Sequence, residues 1–267
     1  MAGRDSGLAV VDRLRGKRAL VTAGAQGIGL AITRHLLAAG CDVFVHYRTS
    51  VAAAHGLEPE AARLGCRYAH ASADLSRAVD CERLVASAVD FLGGLDVLVN
   101  NAGSLVGRRT LADADDAFWD ETIAINLGST RRVTRAALPH LIAAANASGG
   151  ASVVNLASLA GRRGGHPGSL AYSTAKGAIL TFTRALATEV GPYGVRVNAL
   201  APGLILGTSF HDMHTTDDSA RASVAQIPLG RGGTTDDVAR AAVFLAAEYD
   251  GFITGATLDI NGGVYGS

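Results

Sequence analysis

Hydrophobic residues occur in short runs that alternate with longer amphipathic segments along the whole chain. Seven apolar runs have the length of buried strands, and they span 18–22, 42–46, 67–71, 95–100, 151–156, 195–200 and 257–260. Between them, apolar residues recur every three or four positions, as on one face of a helix, in segments 28–39, 77–92, 130–145, 173–190 and 235–247. The alternation predicts an α/β fold, a doubly wound, mostly parallel sheet of seven strands with helices on both faces.

One segment departs from this alternation. Residues 204–227 are rich in His, Asp, Thr and Ser and show only weak helical periodicity. A long connection of this kind in a compact domain is usually a lid or a binding loop. No linker-like stretch divides the rest of the chain, so we expect an N-terminal extension over 1–17 and a single domain over 18–267.

Charge and composition exclude several classes of partner. The 24 acidic residues balance the 24 basic ones, which gives no basic surface for nucleic acid or an anionic membrane. Apolar runs stay far below the ~20 residues of a membrane span, and the N-terminus lacks the apolar core of a secretion signal. Cys41, Cys66 and Cys81 lack the paired spacing of a disulfide framework or zinc site. We therefore expect a cytoplasmic protein without nucleic-acid or membrane partners.

A glycine-rich turn follows the first predicted strand and leads directly into the first predicted helix. Residues 22–29 read Thr-Ala-Gly-Ala-Gln-Gly-Ile-Gly. Glycines in such a turn let backbone N–H groups approach a pyrophosphate, and the positive end of the helix dipole faces the negative charge. The alternative is a tight turn that only packs against the sheet. The position of the turn favours a Rossmann-type dinucleotide site.

The end of the second strand indicates which dinucleotide binds. In Rossmann-type sites an acid at this point bonds the ribose 2′-hydroxyl, whereas an arginine accommodates a 2′-phosphate. Here the strand continues into Tyr47, Arg48 and Thr49, with no acid. The residues favour NADP(H) and leave NAD(H) open, since Arg48 could also be an ordinary surface arginine.

A tyrosine and a lysine four positions apart suggest proton-transfer chemistry. Tyr172 and Lys176 share one face of a predicted helix. A cation close to a phenol favours phenolate and is expected to lower the pKa of Tyr172, which could then exchange a proton with a substrate oxygen. Ser158 follows the fifth predicted strand, where its hydroxyl could polarise a carbonyl. The alternative is an ordinary pair on an amphipathic helix.

These motifs together resemble those of the short-chain dehydrogenase/reductase family, in its single-domain form, including 3-oxoacyl reductase-like and sugar or polyol dehydrogenase-like members. The resemblance covers nearly the whole chain. In chain order it rests on the glycine-rich turn, Asp74-Leu75, Asn100-Asn101-Ala102-Gly103, Asn126, Tyr172-xxx-Lys176, Pro202-Gly203, Ile-Pro-Leu-Gly-Arg at 227–231 and Ile-Thr-Gly at 253–255.

The resemblance also implies a role for each matching position. Tyr172 would be the acid and base, Lys176 would hold the nicotinamide ribose, Ser158 would orient the carbonyl, and Asn126 would hold a water in a proton relay. The expected cofactor-binding residues are Gly24, Gln26, Gly27, Ile28, Gly29, Tyr47, Arg48, Thr49, Asp74, Leu75, Asn101, Ala102, Gly103, Tyr172, Lys176, Pro202, Gly203 and Ile205.

The chain departs from the family pattern at a few positions. Ala23 stands where the family usually has the first glycine of the turn, and we expect a slightly altered turn that still binds cofactor, because a methyl matters only at positive φ or against the phosphate. Gln26 replaces the basic residue common in NADP(H)-specific members, so Arg48 alone carries that preference. Ser158 and Tyr172 are separated by one residue more than is usual, and Asn261 replaces a frequent aspartate.

Substrate-facing residues are expected in the loops 105–109, 162–169 and 206–227. Arg162, Arg163 and His166 could bind an anionic or hydroxylated substrate, or they could be solvated surface groups. His211 and His214 have ligand-type side chains, but we expect no metal. The segment 143–150 carries no cation, which disfavours an acyl carrier protein partner. The cations of the preceding helix, Arg131, Arg132 and Arg135, keep that partner open.

The leading hypothesis is therefore an NADP(H)-dependent carbonyl reductase or alcohol dehydrogenase for a small ketone or secondary alcohol. A 3-oxoacyl-[acyl-carrier-protein] reductase is the alternative within the family. A non-catalytic nucleotide-binding sensor on the same fold is the alternative from another class, but its expected mark, a broken Ser/Tyr/Lys set, is missing. The resemblance, with small residues along two helices, implies a homotetramer.

Overall fold

The computed structural model describes residues 13–208, 217–247 and 251–266. All seven predicted strands are confirmed, and their ends lie within two residues of the predicted ends. The strands are β1 (Arg18–Val21), β2 (Asp42–Tyr47), β3 (Tyr68–Ser72), β4 (Val97–Asn100), β5 (Ala151–Leu156), β6 (Val195–Pro202) and β7 (Thr257–Ile260).

The strands form one sheet in the order β3-β2-β1-β4-β5-β6-β7. Every pairing is parallel, so the sheet is fully rather than mostly parallel. The chain builds outward from β1 in one direction, returns to the centre at β4, and builds outward in the other. Such a reversal of strand order leaves a crevice beyond the carboxyl ends of the central strands, where open α/β sheets bind ligands.

Helices connect the strands and cover both faces of the sheet. The five predicted helices are confirmed, and shorter ones occur between them. The described α-helices are α1 (Gly27–Ala38), α2 (Val51–His55), α3 (Glu58–Leu64), α4 (Ala78–Leu92), α5 (Asp116–Ile123), α6 (Ser129–Ser148), α7 (Leu159–Arg163), α8 (Leu170–Val190), α9 (Asp217–Val224) and α10 (Thr235–Ala247). A π-helical turn, Ala124–Gly128, joins α5 to α6.

The core lies in two layers, one on each side of the sheet. Alternate residues of a strand point to opposite faces, and β1 shows this directly. Ala19 and Val21 pack into the layer with α1 and α10, whereas Leu20 packs into the layer with α4, α6 and the end of α8. Burial of apolar surface on both faces explains why the central strands are continuously hydrophobic.

The predicted lid is described in two pieces. Residues 204–208 run beside Gly233, to which Ile205 is bridged, and α9 follows from Asp217. The ligand-type residues His211 and His214 lie outside the described residues. No helix in the described part of the chain is both long and apolar enough to cross a bilayer.

Candidate active site

Two adjoining depressions open at the carboxyl edge of the sheet. The first, the main cleft, has a volume of about 290 Å³ and is bounded by segments that follow β1, β4, β5 and β6. Of the predicted site residues it is lined by Gln26, Gly27, Ile28, Asn101, Gly103, Ser158, Tyr172, Lys176, Pro202, Gly203 and Ile205. The second, the side pocket, is lined by Gln26, Tyr47, Arg48, Thr49, Asp74, Leu75, Ala102 and Gly103, among others. Gly24, Gly29 and Asn126 line neither surface.

Ala23 turns the chain between β1 and α1 in a left-handed conformation, with φ of 49°. We expected the methyl group of Ala23 to matter only if this residue had positive φ or lay against the phosphate. Because φ is positive, the methyl group does affect the turn. His46 holds the turn in place. Its Nδ1 accepts a hydrogen bond from the Ala23 N–H at 3.0 Å, and its carbonyl accepts one from Gly24 at 2.9 Å. A conformation that costs an L-residue about 1–2 kcal/mol is thus imposed by a buried neighbour.

His46 was missed at the sequence level. It is 3 % exposed, and its Nε2 lies 3.1 Å from the Ala73 carbonyl. Because Nδ1 accepts, Nε2 must carry the proton and donate, so the ring is neutral. Burial lowers the pKa of His46, which keeps this state. A polar residue within an otherwise apolar strand was the available signal.

The start of α1 can receive an anion. The N-cap residue Gln26 makes no side-chain capping bond, so the first amides of the helix have no such partner. Gly29 lies in this first turn, where a Cβ atom would come 2.1 Å from the Ala23 carbonyl oxygen. Any side chain at position 29 would displace the turn. Unpaired amides at a glycine-lined helix start fit a dinucleotide pyrophosphate.

Asn101 lies in the main cleft, but its side chain braces the two central strands. Its Nδ2 donates to the carbonyls of Thr22 at 3.1 Å and Ala23 at 3.2 Å. In return the Thr22 hydroxyl oxygen accepts from the backbone N–H groups of Asn101 and Ala102. The loops after β1 and β4 are therefore held together at the floor of the cleft.

The side pocket brings basic and acidic groups together. Arg48 and Asp74 both line it, and the positive charge of Arg48 contributes to lowering the pKa of Asp74, after the larger effect of two hydrogen bonds from Ser76. Ser50 donates to Gln26 at 2.7 Å and so connects the end of β2 with the glycine-rich turn. The side pocket thus presents the guanidinium of Arg48 and several hydroxyls beside the carboxylate of Asp74.

Ser158, Tyr172 and Lys176 meet in the main cleft. Ser158 caps α7, its Oγ accepting from the Ala160 N–H at 3.1 Å, and it also hydrogen-bonds the Tyr172 hydroxyl. Lys176 is 4 % exposed and donates from Nζ to the Leu156 carbonyl at 2.7 Å. Its Nζ lies 5.7 Å from the centre of the Tyr172 ring.

The acid strengths in this group differ from the sequence-based expectation. Burial raises the pKa of Tyr172 to about 12, and the hydrogen bond from Ser158 opposes this only in part. Burial also lowers the pKa of Lys176 to about 8. The expected lowering of the Tyr172 pKa by the lysine does not appear in the protein without cofactor, because burial of the phenol dominates. Tyr172 is a neutral hydroxyl at pH 7, suited to donate a proton.

Asn126 lies behind the cleft in the π-helical turn and is fully buried. Its Nδ2 donates to the carbonyls of Ser104 at 2.8 Å and Thr122 at 2.9 Å, and its Oδ1 accepts from the Ser104 N–H. A Cβ atom on Gly103 would come 2.7 Å from this Oδ1 and 3.0 Å from Lys176 Nζ, so only glycine fits between them. The Asn126 side chain thus fixes the loop after β4. Its part in a proton relay stays a prediction.

Only some of the predicted substrate-binding cations face the cleft. Arg162 forms a two-point ion pair with Asp259, at 2.7 and 3.1 Å, and lies over the Tyr265 ring. This pair commits the guanidinium to β7, and Arg162 does not line the main cleft. Arg163 and His166 line the main cleft, as does Arg108 from the loop after β4.

Two of the cations considered for a carrier protein have contacts within the chain. Arg132 donates to the carbonyls of Leu75 and Ala124, and Arg135 pairs with Glu82 at 2.8 Å. These contacts weaken the argument for an acidic protein partner at α6.

Three possible metal ligands come together away from the cleft. Glu58 Oε1 lies 2.9 Å from His55 Nδ1 and 3.2 Å from His70 Nε2. Both histidines hydrogen-bond to Glu58, and none of the three side chains lines the main cleft or the side pocket. The expectation of no metal stays a prediction.

Comparison with known proteins places this geometry in a family. Residues 22–265 match the family model described as enoyl-(acyl carrier protein) reductase. Human dehydrogenase/reductase SDR family member 4 is 37 % identical over 262 residues, which cover 97 % of this chain and 91 % of that protein.

Two solved structures show the same fold. The NADH-dependent reductase A1-R′ in complex with NAD is 34 % identical, with a TM-score of 0.86 over 96 % of this chain and all of that one. A short-chain dehydrogenase from Burkholderia cenocepacia in complex with NADP is 32 % identical, with a TM-score of 0.85 over 94 % of this chain and 99 % of that one. The chain belongs to the short-chain dehydrogenase/reductase family of oxidoreductases.

Proposed function

We propose that the protein is an NADP(H)-dependent carbonyl reductase or alcohol dehydrogenase acting on a small ketone or secondary alcohol. The observation that carries the proposal is the meeting of Ser158, Tyr172 and Lys176 in one cleft with the uncapped start of α1. When bound, the nicotinamide supplies or accepts the hydride. The free thiols, with Cys41 and Cys81 buried, support a reducing, cytoplasmic location.

Each residue of the group has a distinct task. The neutral Tyr172 hydroxyl donates a proton to the carbonyl oxygen during reduction and becomes a phenolate, and in the oxidation direction the phenolate takes the proton from the alcohol. Ser158 donates a hydrogen bond to the same oxygen and stabilises its developing negative charge. The buried ammonium of Lys176 adds a positive charge to this side of the cleft and has donors for ribose hydroxyls, one of its three being used by Leu156.

Removal of the phenol hydroxyl tests this assignment. We expect Tyr172→Phe to reduce kcat by at least about 1000-fold, because both proton donation and the Ser158 contact are lost. Tyr193, which is 53 % exposed, offers a matched Tyr→Phe control that should retain activity. Cofactor binding is followed by nicotinamide fluorescence. Turnover near the wild-type rate in Tyr172→Phe with bound cofactor would rule out the mechanism.

Arg48 supports a preference for NADP(H), because a 2′-phosphate is an anion that a guanidinium binds through two hydrogen bonds. The two structural relatives carry NAD in one case and NADP in the other, so they support either cofactor. We expect Arg48→Leu to raise KM for NADPH at least tenfold and to leave KM for NADH almost unchanged. Parallel assays with both cofactors on a ketone panel measure this. A strong NADH preference of the wild type would contradict it.

A further inference from the structure

We propose that the substrate carries a carboxylate, which Arg163 and Arg108 bind in the main cleft while the carbonyl lies against Ser158 and Tyr172. This inference rests on the proposed hydride-transfer function and narrows its substrate class to small oxo acids and the matching hydroxy acids.

Among the described residues, the charged side chains that line the cleft are all basic. Lys176, Arg108 and Arg163 are present, whereas no Asp or Glu occurs among the described residues of the lining. The whole chain, by contrast, has equal numbers of acidic and basic residues. A partly enclosed cleft with one sign of charge concentrates ligands of the opposite sign.

Arg163 is held at the end of a helix whose position is fixed at both ends. Ser158 caps the start of α7, and Arg162 ties its last turn to Asp259 of β7. Arg162 is therefore committed to the fold, whereas its neighbour Arg163 lines the cleft. Arg163 makes no ion pair within the described part of the chain, so its guanidinium is available to a ligand.

Arg108 reaches the same cleft from the loop after β4. This loop is attached to the 164–169 loop, because the Arg109 N–H donates to the Gly168 carbonyl at 3.0 Å and Arg108 Nη1 donates to the Pro167 carbonyl at 3.3 Å. The 164–169 loop is in turn anchored to α8 through Ser169 and Ser173. The loop that bears Arg108 and the loop that follows Arg163 are thus joined into one rim.

The remaining lining explains why the anion should belong to a small molecule. Leu105, Leu159 and Ile227 contribute apolar surface, and the α9 side contributes the neutral hydroxyls of Ser219 and Ser223. A cleft volume of about 290 Å³ lies at the small end of the range for ligand sites. A carboxylate matches the planar, two-donor geometry of a guanidinium.

The test compares a short oxo acid with its methyl ester, which keeps the ketone and removes the charge. In the wild type we expect kcat/KM for the acid to exceed that for the ester at least tenfold, since hydrogen bonds to a charged group are the stronger ones. Arg163→Gln and Arg108→Gln should each raise KM for the acid by about tenfold with a small change in kcat, and should leave the ester unaffected. Added salt should weaken binding of the acid alone.

Arg109→Gln is the matched control. Its guanidinium pairs with Asp115 at 3.2 Å and lies over the Phe118 ring, and it does not line the cleft. Equal turnover of acid and ester, or equal losses in Arg109→Gln and Arg163→Gln, would overturn the carboxylate inference and leave the reductase intact. If neither compound nor any neutral ketone is reduced with either cofactor, the proposed function itself fails.

Discussion

Ala23 is the residue at which local backbone preference and function conflict most directly. Its positive φ is unfavourable for any residue with a Cβ atom, yet the turn brings the start of α1 to the cleft. We expect Ala23→Gly to raise the free energy of unfolding by about 1 kcal/mol, the relief of strain exceeding the added entropy of the unfolded chain. Thermal and urea unfolding measure the change.

Ala25 offers the control for that substitution. It lies two residues further on, is 1 % exposed and does not have positive φ. Ala25→Gly should therefore lower the stability, by about 0.5–1 kcal/mol. Stabilisation by both glycines would show that strain at position 23 is not the cause.

His46 makes the same turn sensitive to acid. Its pKa is lowered in the folded protein, so the unfolded chain takes up a proton first as the pH falls. The stability that depends on neutral His46 is complete above pH 6.5 and is lost progressively below it. We expect His46→Gln to flatten this acid limb in urea unfolding between pH 5 and 7, and an unchanged acid limb in this variant would contradict the role of His46.

Lys176 should determine the alkaline limit of ketone reduction. Its pKa of about 8 means that the ammonium is charged below this pH and loses its proton above it. We expect kcat/KM for reduction to be level below pH 8 and to fall above it. Because arginine keeps its charge, Lys176→Arg should be less active but should not show this fall. A decline that begins only near pH 10 would contradict the assignment.

Among the elements, α7 depends on a contact that is distant in sequence. Arg162 and Asp259 are 14 % and 16 % exposed, and two hydrogen bonds join them. We expect a double-mutant cycle with Arg162→Met and Asp259→Asn to give a coupling energy of about 1–3 kcal/mol in urea unfolding. The exposed pair Arg135–Glu82 is the control, with about 0.5 kcal/mol or less. Equal coupling energies in the two cycles would refute a structural role for the Arg162–Asp259 pair.

The sequence predicts elements well where their own periodicity decides them. All strands and the long helices α1, α4, α6, α8 and α10 follow from the spacing of apolar residues. The π-helical turn around Asn126 does not, because it is set by the buried amide contacts with Ser104 and Thr122 rather than by the local pattern. For the same reason the local pattern could not predict the roles of Arg162 and His46, which depend on partners 97 and 27 residues away in the sequence.

Site residues divide in the same way. The positions of Ser158, Tyr172 and Lys176 follow from strand ends and helix spacing, and the structure brings them together as expected. The pKa values of Tyr172 and Lys176 could not be derived, because they depend on how deeply the finished fold buries the two groups. Spacing determines which groups meet, whereas burial determines their acidity.

At the scale of the whole molecule, apolar side chains are exposed on and near one edge strand of the sheet. The edge strand β7 carries Leu258, which is 38 % exposed, while Phe252 is 92 % and Phe244 of α10 is 42 % exposed. Exposed apolar side chains on and near a sheet edge favour association with another chain. We expect a homo-oligomer, a tetramer by family resemblance, in light scattering. Leu258→Ser should shift the oligomer toward smaller species, whereas Leu111→Ser, at a residue 70 % exposed, should not. A monomeric wild type would refute this.

The central pairing of β1 with β4 also determines when the cleft can exist during folding. The two strands are joined by a contact across 78 positions, the ion pair of Arg18 with Asp96, and by the Asn101 brace. Neither half of the chain contains a complete nucleotide-binding surface until these strands dock. Because the docking is long-range and therefore slow, a dinucleotide has nothing to recognise in the early ensemble. Bound nucleotide should consequently lengthen the lifetime of the native protein and leave its rate of formation unchanged.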